Sequence, residues 1–333
     1  MYGFKAVIFF GSGTNKTLTT QEHPNLDWIS LSGCSGVLQS RRSSGKYSED
    51  EYKIFLLSQM FNYYDQFFSE NGEVGFTIPN ENDNQNEKEN EKENEKENKK
   101  ENEKKKEKEN EKENKKENEK EKENEKEKEN EEIKALRTNK KIKDFSSRYG
   151  GMKGTILTNN KASKSFALSI GCEPLSLPEN GSELAEKILS LEEQKDYLFV
   201  DFGNKVAIIE TALQELKKHE EKFYFVVASS LNLKESLCFE QLQQGTGERI
   251  LKKGGFRPKQ SWKMTGLKDL TKVCKGGGSI YVSYWKEGVS REDQATKFLP
   301  EECKQKGCNL TIYAERFIWE IGYRLGFTPK YGA

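Results

Sequence analysis

Histidine is nearly missing: His23 and His219 are the only two in 333 residues. A metal centre built on imidazoles is therefore excluded as a working idea. The six cysteines, Cys34, Cys172, Cys238, Cys274, Cys303 and Cys308, form no CxxC pair. That spacing argues against a zinc site, and without a signal peptide it argues against a secreted disulfide framework. A soluble protein of a reducing, cytoplasmic compartment is the expectation. The apolar run Ala6 to Phe10 is far too short to cross a membrane or to serve as a signal. The phosphate loop GxxxxGK[ST] and the dinucleotide fingerprint are both absent, which disfavours a nicotinamide enzyme of the doubly wound class. No pyrophosphate loop of an acyltransferase is evident either. Net charge is zero, with 55 basic and 55 acidic residues, but this averages unlike regions and says little about partners.

Apolar residues are also lacking from Asn80 to Glu132, where the chain is almost wholly Lys, Glu and Asn. Such a stretch buries too little surface to offset its ordering entropy, and it reads as a disordered insert. Around it the chain alternates. Lys5 to Phe10 reads as a buried strand, followed by a loop at Gly11-Ser12-Gly13-Thr14. That loop is either a weak phosphate cradle or an ordinary turn. Arg41 to Lys46 is a basic loop, and Glu49 to Phe68 has the three-and-four spacing of one amphipathic helix. Lys134 to Arg148 is basic: either a phosphate-contacting flank or the tail of the insert. Gly154–Thr158 and Ser165–Ile170 read as strands and Ser182–Leu189 as a helix. Asp196 to Asn204 is a near-continuous apolar run, as in a strand buried on both faces. Asp201 near its end is a candidate ligand for a hydroxyl or a base nitrogen. Val206–His219 reads as a helix, Phe223–Val227 as a strand, Phe239–Lys253 as a helix, Ser279–Trp285 as a strand and Leu310–Leu325 as a helix.

This order predicts an α+β fold, a mixed sheet with packed helices. It forms a single domain interrupted by the insert. The predicted division is 1–78, the insert 79–133, a flank 134–190, and 191–328.

The stretch that organises this reading is Asp27-Trp28-Ile29-Ser30-Leu31-Ser32-Gly33-Cys34-Ser35-Gly36-Val37-Leu38. Trp28, Ile29 and Leu31 suit a strand. Ser32, Cys34 and Ser35 then fall on a turn that Gly33 and Gly36 make possible. Outward amides and hydroxyls on such a turn suit an anion or polar ligand; a plain hairpin corner fits equally.

DWISLSGCSGVL resembles the signature of the tRNA wybutosine-synthesising protein 3 family, in which an aromatic strand runs into a CSG turn. Tyr197–Val200 (YLFV), Ala212–Lys217, Lys222–Leu233, the Gly255-Phe256-Arg257 triplet, Leu299-Pro300 and the helix through Phe317 resemble later segments of that family in order. On this alignment, residues 41 to 190 form an insertion. Val37 stands where the family has Arg, and Asn232 falls near its histidine. The resemblance implies a tRNA methyltransferase that uses S-adenosylmethionine to methylate the wybutosine precursor beside the anticodon of phenylalanine tRNA. It implies Ser32, Cys34, Ser35 and Asp201 as catalytic residues, and Gly33, Gly36 and Asn204 as cofactor-binding residues. Lys252, Lys253, Arg257, Lys259 and Trp262 would contact the tRNA. No metal and no membrane is implied. Two rival readings are a non-catalytic RNA-binding relative and, from the D-F-G-N turn at 201–204, a Tudor-like methyl-ligand module.

Overall fold

The structure is a computed structural model, and it describes residues 4–12, 18, 21–41, 47–69, 74–75, 142–230, 278–284, 286, 293–307 and 311–329. The chain divides into two units, Met1–Gly75 with Ile142–Ala333, and Phe76–Lys141. The second unit, which holds the predicted disordered insert, lies outside the described residues.

The first unit is built on an eight-stranded sheet. In chain order its elements are β1 (Lys5–Ser12), α1 (Pro24–Leu31), β2 (Gly33–Gln39), α2 (Glu49–Met60), α3 (Tyr64–Phe67) and α4 (Phe145–Arg148). Then come β3 (Gly154–Thr158), α5 (Lys161–Ser169), β4 (Glu173–Leu175), α6 (Gly181–Leu191), β5 (Tyr197–Gly203) and α7 (Val206–Leu216). The chain closes with β6 (Phe223–Ser230), β7 (Gly278–Tyr284), α8 (Pro300–Gln305), β8 (Thr311–Tyr313) and α9 (Phe317–Leu325). Strand order across the sheet is β4-β3-β5-β1-β6-β7-β2-β8. Only β7 runs against its neighbours; the other ladders are parallel. The mixed sheet with helices packed on it is the α+β arrangement that the sequence predicts.

β1 lies at the centre because KAVIFF has no polar face: Ala6 through Phe10 are fully buried. It is flanked by β5 and β6, whose runs are equally apolar, as strands covered on both faces must be. One face, carrying Val7, Phe9, Leu198, Val200 and Phe225, packs against α1, α6 and α7. The other carries Phe10, Tyr197, Phe199, Tyr224 and Tyr281. It meets aromatic residues of the opposite helix layer: Phe61 lies 5.0 Å from Phe199 and 5.8 Å from Tyr197, and Phe317 lies 6.0 Å from Tyr281.

Four predicted elements differ. Asp27–Leu31 is helix and not strand, because Pro24 sits at a helix start with Asp27 in the first turn, and Leu26, Ile29 and Ser30 share the buried face. Ser165–Ile170 lies mostly in α5, where Ala162, Phe166, Ala167 and Ile170 give the spacing of a helix face. The predicted helix Glu49–Phe68 breaks into α2 and α3 at Asn62, whose φ is 53°. The predicted helix Leu310–Leu325 begins only at Phe317, after β8 and a 3₁₀ turn at Ala314–Arg316. The predicted helix Phe239–Lys253 lies outside the described residues. Residues 142–190, part of the insertion under the family resemblance, supply β3 and β4 to the same sheet.

Candidate functional site at the carboxyl edge of the sheet

The parallel strands β3, β5, β1 and β6 end on one edge, where three of them finish on hydroxyl residues. β3 ends at Thr158, β1 at Ser12 and β6 at Ser229-Ser230. Asp201 sits near the end of β5, level with Phe10 of β1 and Thr158 of β3. Alternation along the strand places its side chain on the aromatic face, with Tyr197 and Phe199.

Asp201 is only 3 % exposed, so its charge requires partners. Lys53 of α2 donates to Oδ1 at 2.6 Å. Ser163 of α5 donates to Oδ2 at 2.6 Å, and Thr158 Oγ1 lies 3.1 Å from the same oxygen. The side chains of Lys53 and Asp201 are 8 % and 1 % exposed, so the pair is desolvated and held by geometry. Lys53 Nζ also donates to Ser12 Oγ at 3.1 Å and lies 4.9 Å from the centre of the Phe10 ring.

The turn from β3 into α5 is locked by Asn160. Its backbone N–H donates to Thr158 Oγ1, and its Oδ1 accepts from the Ser163 N–H at 2.9 Å, capping the helix. The cap therefore fixes both hydroxyls that hold the Asp201 carboxylate. Gly203, with φ of 58°, turns the chain at the end of β5, and Asn204 follows on the exposed side.

Asp201 is thus engaged on both oxygens, while Lys53 spends two of its three ammonium hydrogens on described partners. The third hydrogen and the half-buried Ser12 hydroxyl are donors at the strand ends. They suit an oxygen-rich anion. Among the described residues no three His, Cys, Asp or Glu side chains group as metal ligands. No described helix is long and apolar enough to cross a membrane.

The CSG stretch behaves otherwise. Gly33 through Gln39 form β2, hydrogen-bonded to β7 on one side and β8 on the other. Its amides are spent on the ladder or, at Ser35, on a carboxylate, so the stretch forms no open anion-binding turn. Cys34 and Ser35 are buried, and Ser32 is the residue that closes α1. The Ser35 N–H and hydroxyl both donate to Asp293 Oδ2, at 2.6 and 2.8 Å, so a carboxylate already occupies that position. Gly33 is glycine for packing: a Cβ there would lie 2.4 Å from both Ile29 O and Ser283 O. Gly36 faces Tyr281 in the ladder. β2 stands four strands from β5, about 19 Å at the usual spacing. The residues predicted as one catalytic pocket therefore lie in two places.

Lys252, Lys253, Arg257, Lys259 and Trp262 lie outside the described residues. Arg148, from the predicted basic flank, is committed inside the fold. It donates to Asn62 O at 2.6 Å and lies over the Tyr63 ring. Sequence reasoning found Asp201 and placed Ser12 in a loop that is either a phosphate cradle or a turn, but missed Lys53, Thr158 and Ser163. The available signal was a hydroxyl residue at the end of each apolar run: FFGS, ILT and VVASS.

No protein-family model matches the chain, and no curated protein does. Solved structures do. PH0037 protein from Pyrococcus horikoshii is 11 % identical, with 99 % of each chain covered and a TM-score of 0.51. The cofactor-independent phosphoglycerate mutase from Thermoplasma acidophilum is 10 % identical over 97 % of this chain and all of that one, with a TM-score of 0.44. The lipoteichoic acid synthase LtaP from Listeria monocytogenes is 10 % identical over 99 % of this chain and 74 % of that one, with a TM-score of 0.40. The end-to-end likeness to the Pyrococcus protein shows the fold.

These findings correct the methyltransferase reading. The expected pocket is a buried strand remote from Asp201, in a fold shared end to end with the Pyrococcus protein. S-adenosylmethionine as cofactor and wybutosine synthesis as the process fall with it. The Tudor-like reading falls because Tyr197–Leu216 is a central strand followed by a helix.

Proposed function

We propose that the chain is an enzyme acting on a small phosphorylated molecule, bound across the carboxyl edge of β5, β1 and β6. The observation that carries this reading is Ser12 Oγ at 3.1 Å from a lysine that a buried aspartate holds in place. Ligands of open α/β sheets lie outside the carboxyl ends of the strands, where chain reversals leave a crevice. A lysine ammonium is a compact charge suited to phosphate oxygens. In this reading Lys53 and Ser12 touch the phosphoryl group, and Asp201 positions Lys53. Thr158 and Ser163 orient the carboxylate. Helix α2 brings the lysine in from above, so the anion meets a donor pair whose geometry is set before it arrives.

The test is thermal unfolding of the full chain with inorganic phosphate and glycerol phosphate, beside phosphorus NMR of phosphate esters incubated with it. A ligand at one hundred times its dissociation constant stabilises the fold by about 2.7 kcal/mol. Ser12→Ala retains the ion pair and the fold, and is expected to lose most of that stabilisation and any turnover. Equal stabilisation of both proteins, or none of either, would overturn the proposal.

A further inference from the structure

Beyond Ser12 the carboxyl edge continues through two more serines. Ser12 of β1 stands opposite Ser230 of β6, and Ser230 stands opposite Ser279 of β7. Residues paired in register show the same face of the sheet, so the three hydroxyls form one row on the aromatic face. Adjacent strands are about 4.8 Å apart, which makes the row about 10 Å long. Its two ends differ. At β1 it meets the Lys53 ammonium, 3.1 Å from Ser12 Oγ. At β2 it stops against Leu38, which is paired with Ser279 in the ladder and is buried.

The two added serines are unlike the hydroxyls that hold Asp201. Thr158 and Ser163 are spent on a carboxylate oxygen. Ser230 and Ser279 are each only 4 % exposed, yet among the described residues neither hydroxyl has a hydrogen-bond partner. Buried hydroxyls are normally paired, because an unpaired one forfeits its bond to water. Neither oxygen is sealed from solvent. Each side chain is therefore walled in, while its oxygen opens to the crevice outside the strand ends. A serine hydroxyl both donates and accepts, and it carries no charge. The group that completes it is a neutral one with the same double capacity, which describes an alcohol. A carboxylate or a second phosphate would call for a cation beside it. The side chains next to the two serines on this face of the sheet, Ala228, Tyr281 and Leu38, supply none.

We propose that the ligand of the carboxyl edge is the phosphate ester of a short polyhydroxylated carbon chain, with its phosphoryl group at Lys53 and Ser12 and its hydroxyls on Ser230 and Ser279. This rests on the phosphoryl reading of the edge and names what the phosphoryl group is attached to. The row runs away from the Lys53–Asp201 pair, so the ligand lies across β1, β6 and β7 with its charged end over β1. Ser230 and Ser279 select for it: an alkyl phosphate of equal length leaves both hydroxyls without a partner. Leu38 ends the row, and a length of about 10 Å suits a chain of a few carbons.

The experiment is calorimetric titration of the full chain with glucitol phosphate, hexyl phosphate and inorganic phosphate. One neutral hydrogen bond is worth about fivefold in affinity. With two of them, glucitol phosphate is expected to bind on the order of twentyfold more tightly than hexyl phosphate. Ser230→Ala and Ser279→Ala should each lower that ratio about fivefold. The ratio is taken within each protein, so a loss of folded material cannot imitate the result. Phosphate binding with no preference for the hydroxylated ester over the alkyl one would overturn the proposal and leave the phosphoryl reading standing. So would a preference that neither serine variant lowers. No binding of any of the three compounds would overturn both.

Discussion

The two faces of the sheet are covered by different chemistry. One packs β1, β5 and β6 against α1, α6 and α7 through Val7, Leu198, Val200, Leu184, Ile188 and Leu213, with few polar groups. The other meets α2, α5 and α9 through rings, and it encloses two buried ion pairs. Lys53 holds Asp201 at 2.6 Å, and Arg41 holds Glu315 at 2.5 Å. Aliphatic side chains on the first face exchange places with little directional penalty. Rings and charges on the second depend on angle and partner. The candidate site and the serine row that extends it lie on the second face. The scaffold occupies one side of the sheet, and the other carries groups whose positions matter to within fractions of an ångström.

That contrast can be broken by substitution. The largest effect is expected at Asp201→Asn, which leaves Lys53 buried without its counter-charge and costs about 3–5 kcal/mol in denaturant unfolding. The double replacement Lys53→Met with Asp201→Leu should recover much of that loss, since no charge remains to desolvate. A cost below that of an ordinary surface change would show that Lys53 reaches water. Next, Ser163→Ala removes one donor to a charged acceptor, with an expected loss of about 1.5–3 kcal/mol. On the aliphatic face, Ile209→Val should cost only about 0.5–1.5 kcal/mol; a larger loss than at Ser163 would reverse the comparison.

The gentlest probe is pH. Burial raises the Glu315 carboxyl despite Arg41 beside it. The folded state therefore holds this proton more tightly than the unfolded state. The stability it contributes is fully present below the unfolded value, about 4.3, and is lost as pH rises through the folded value. Stability of the natural chain relative to Glu315→Gln should accordingly increase as pH falls into the carboxylate range. A difference that stays flat with pH would remove the assignment.

What the sequence disclosed follows the same division. β1, β5 and β6 were legible because continuous apolar runs leave no other placement, and α6 and α7 because their apolar residues recur at helical spacing. Asp201 stood out as a carboxylate ending such a run. Lys53 did not: its partner is 148 residues away, and only tertiary packing brings α2 over the end of β5. The CSG stretch misled because small residues suit tight turns and crowded strands alike. Here crowding by Ile29 and Ser283 explains Gly33, and Asp293 explains Ser35. Trp28 and Ile29 misled because their β preference yields to Pro24 and the phase of the buried face.

The central strand is made well before either of its neighbours. Lys5 at its start pairs with Asp196, 191 residues further on, and its other neighbour, β6, comes later still. At ordinary synthesis rates the ribosome needs on the order of 10–40 s to cover that distance. Throughout that interval the apolar segment Ala6–Phe10 has neither of its flanking strands, and it is a stretch that chaperones bind and that aggregation recruits. The sheet therefore closes only when synthesis is well advanced, and contacts so distant along the chain make folding slow. Expression of this protein should depend on what shelters Lys5–Ser12 during synthesis more than on the stability of the finished fold.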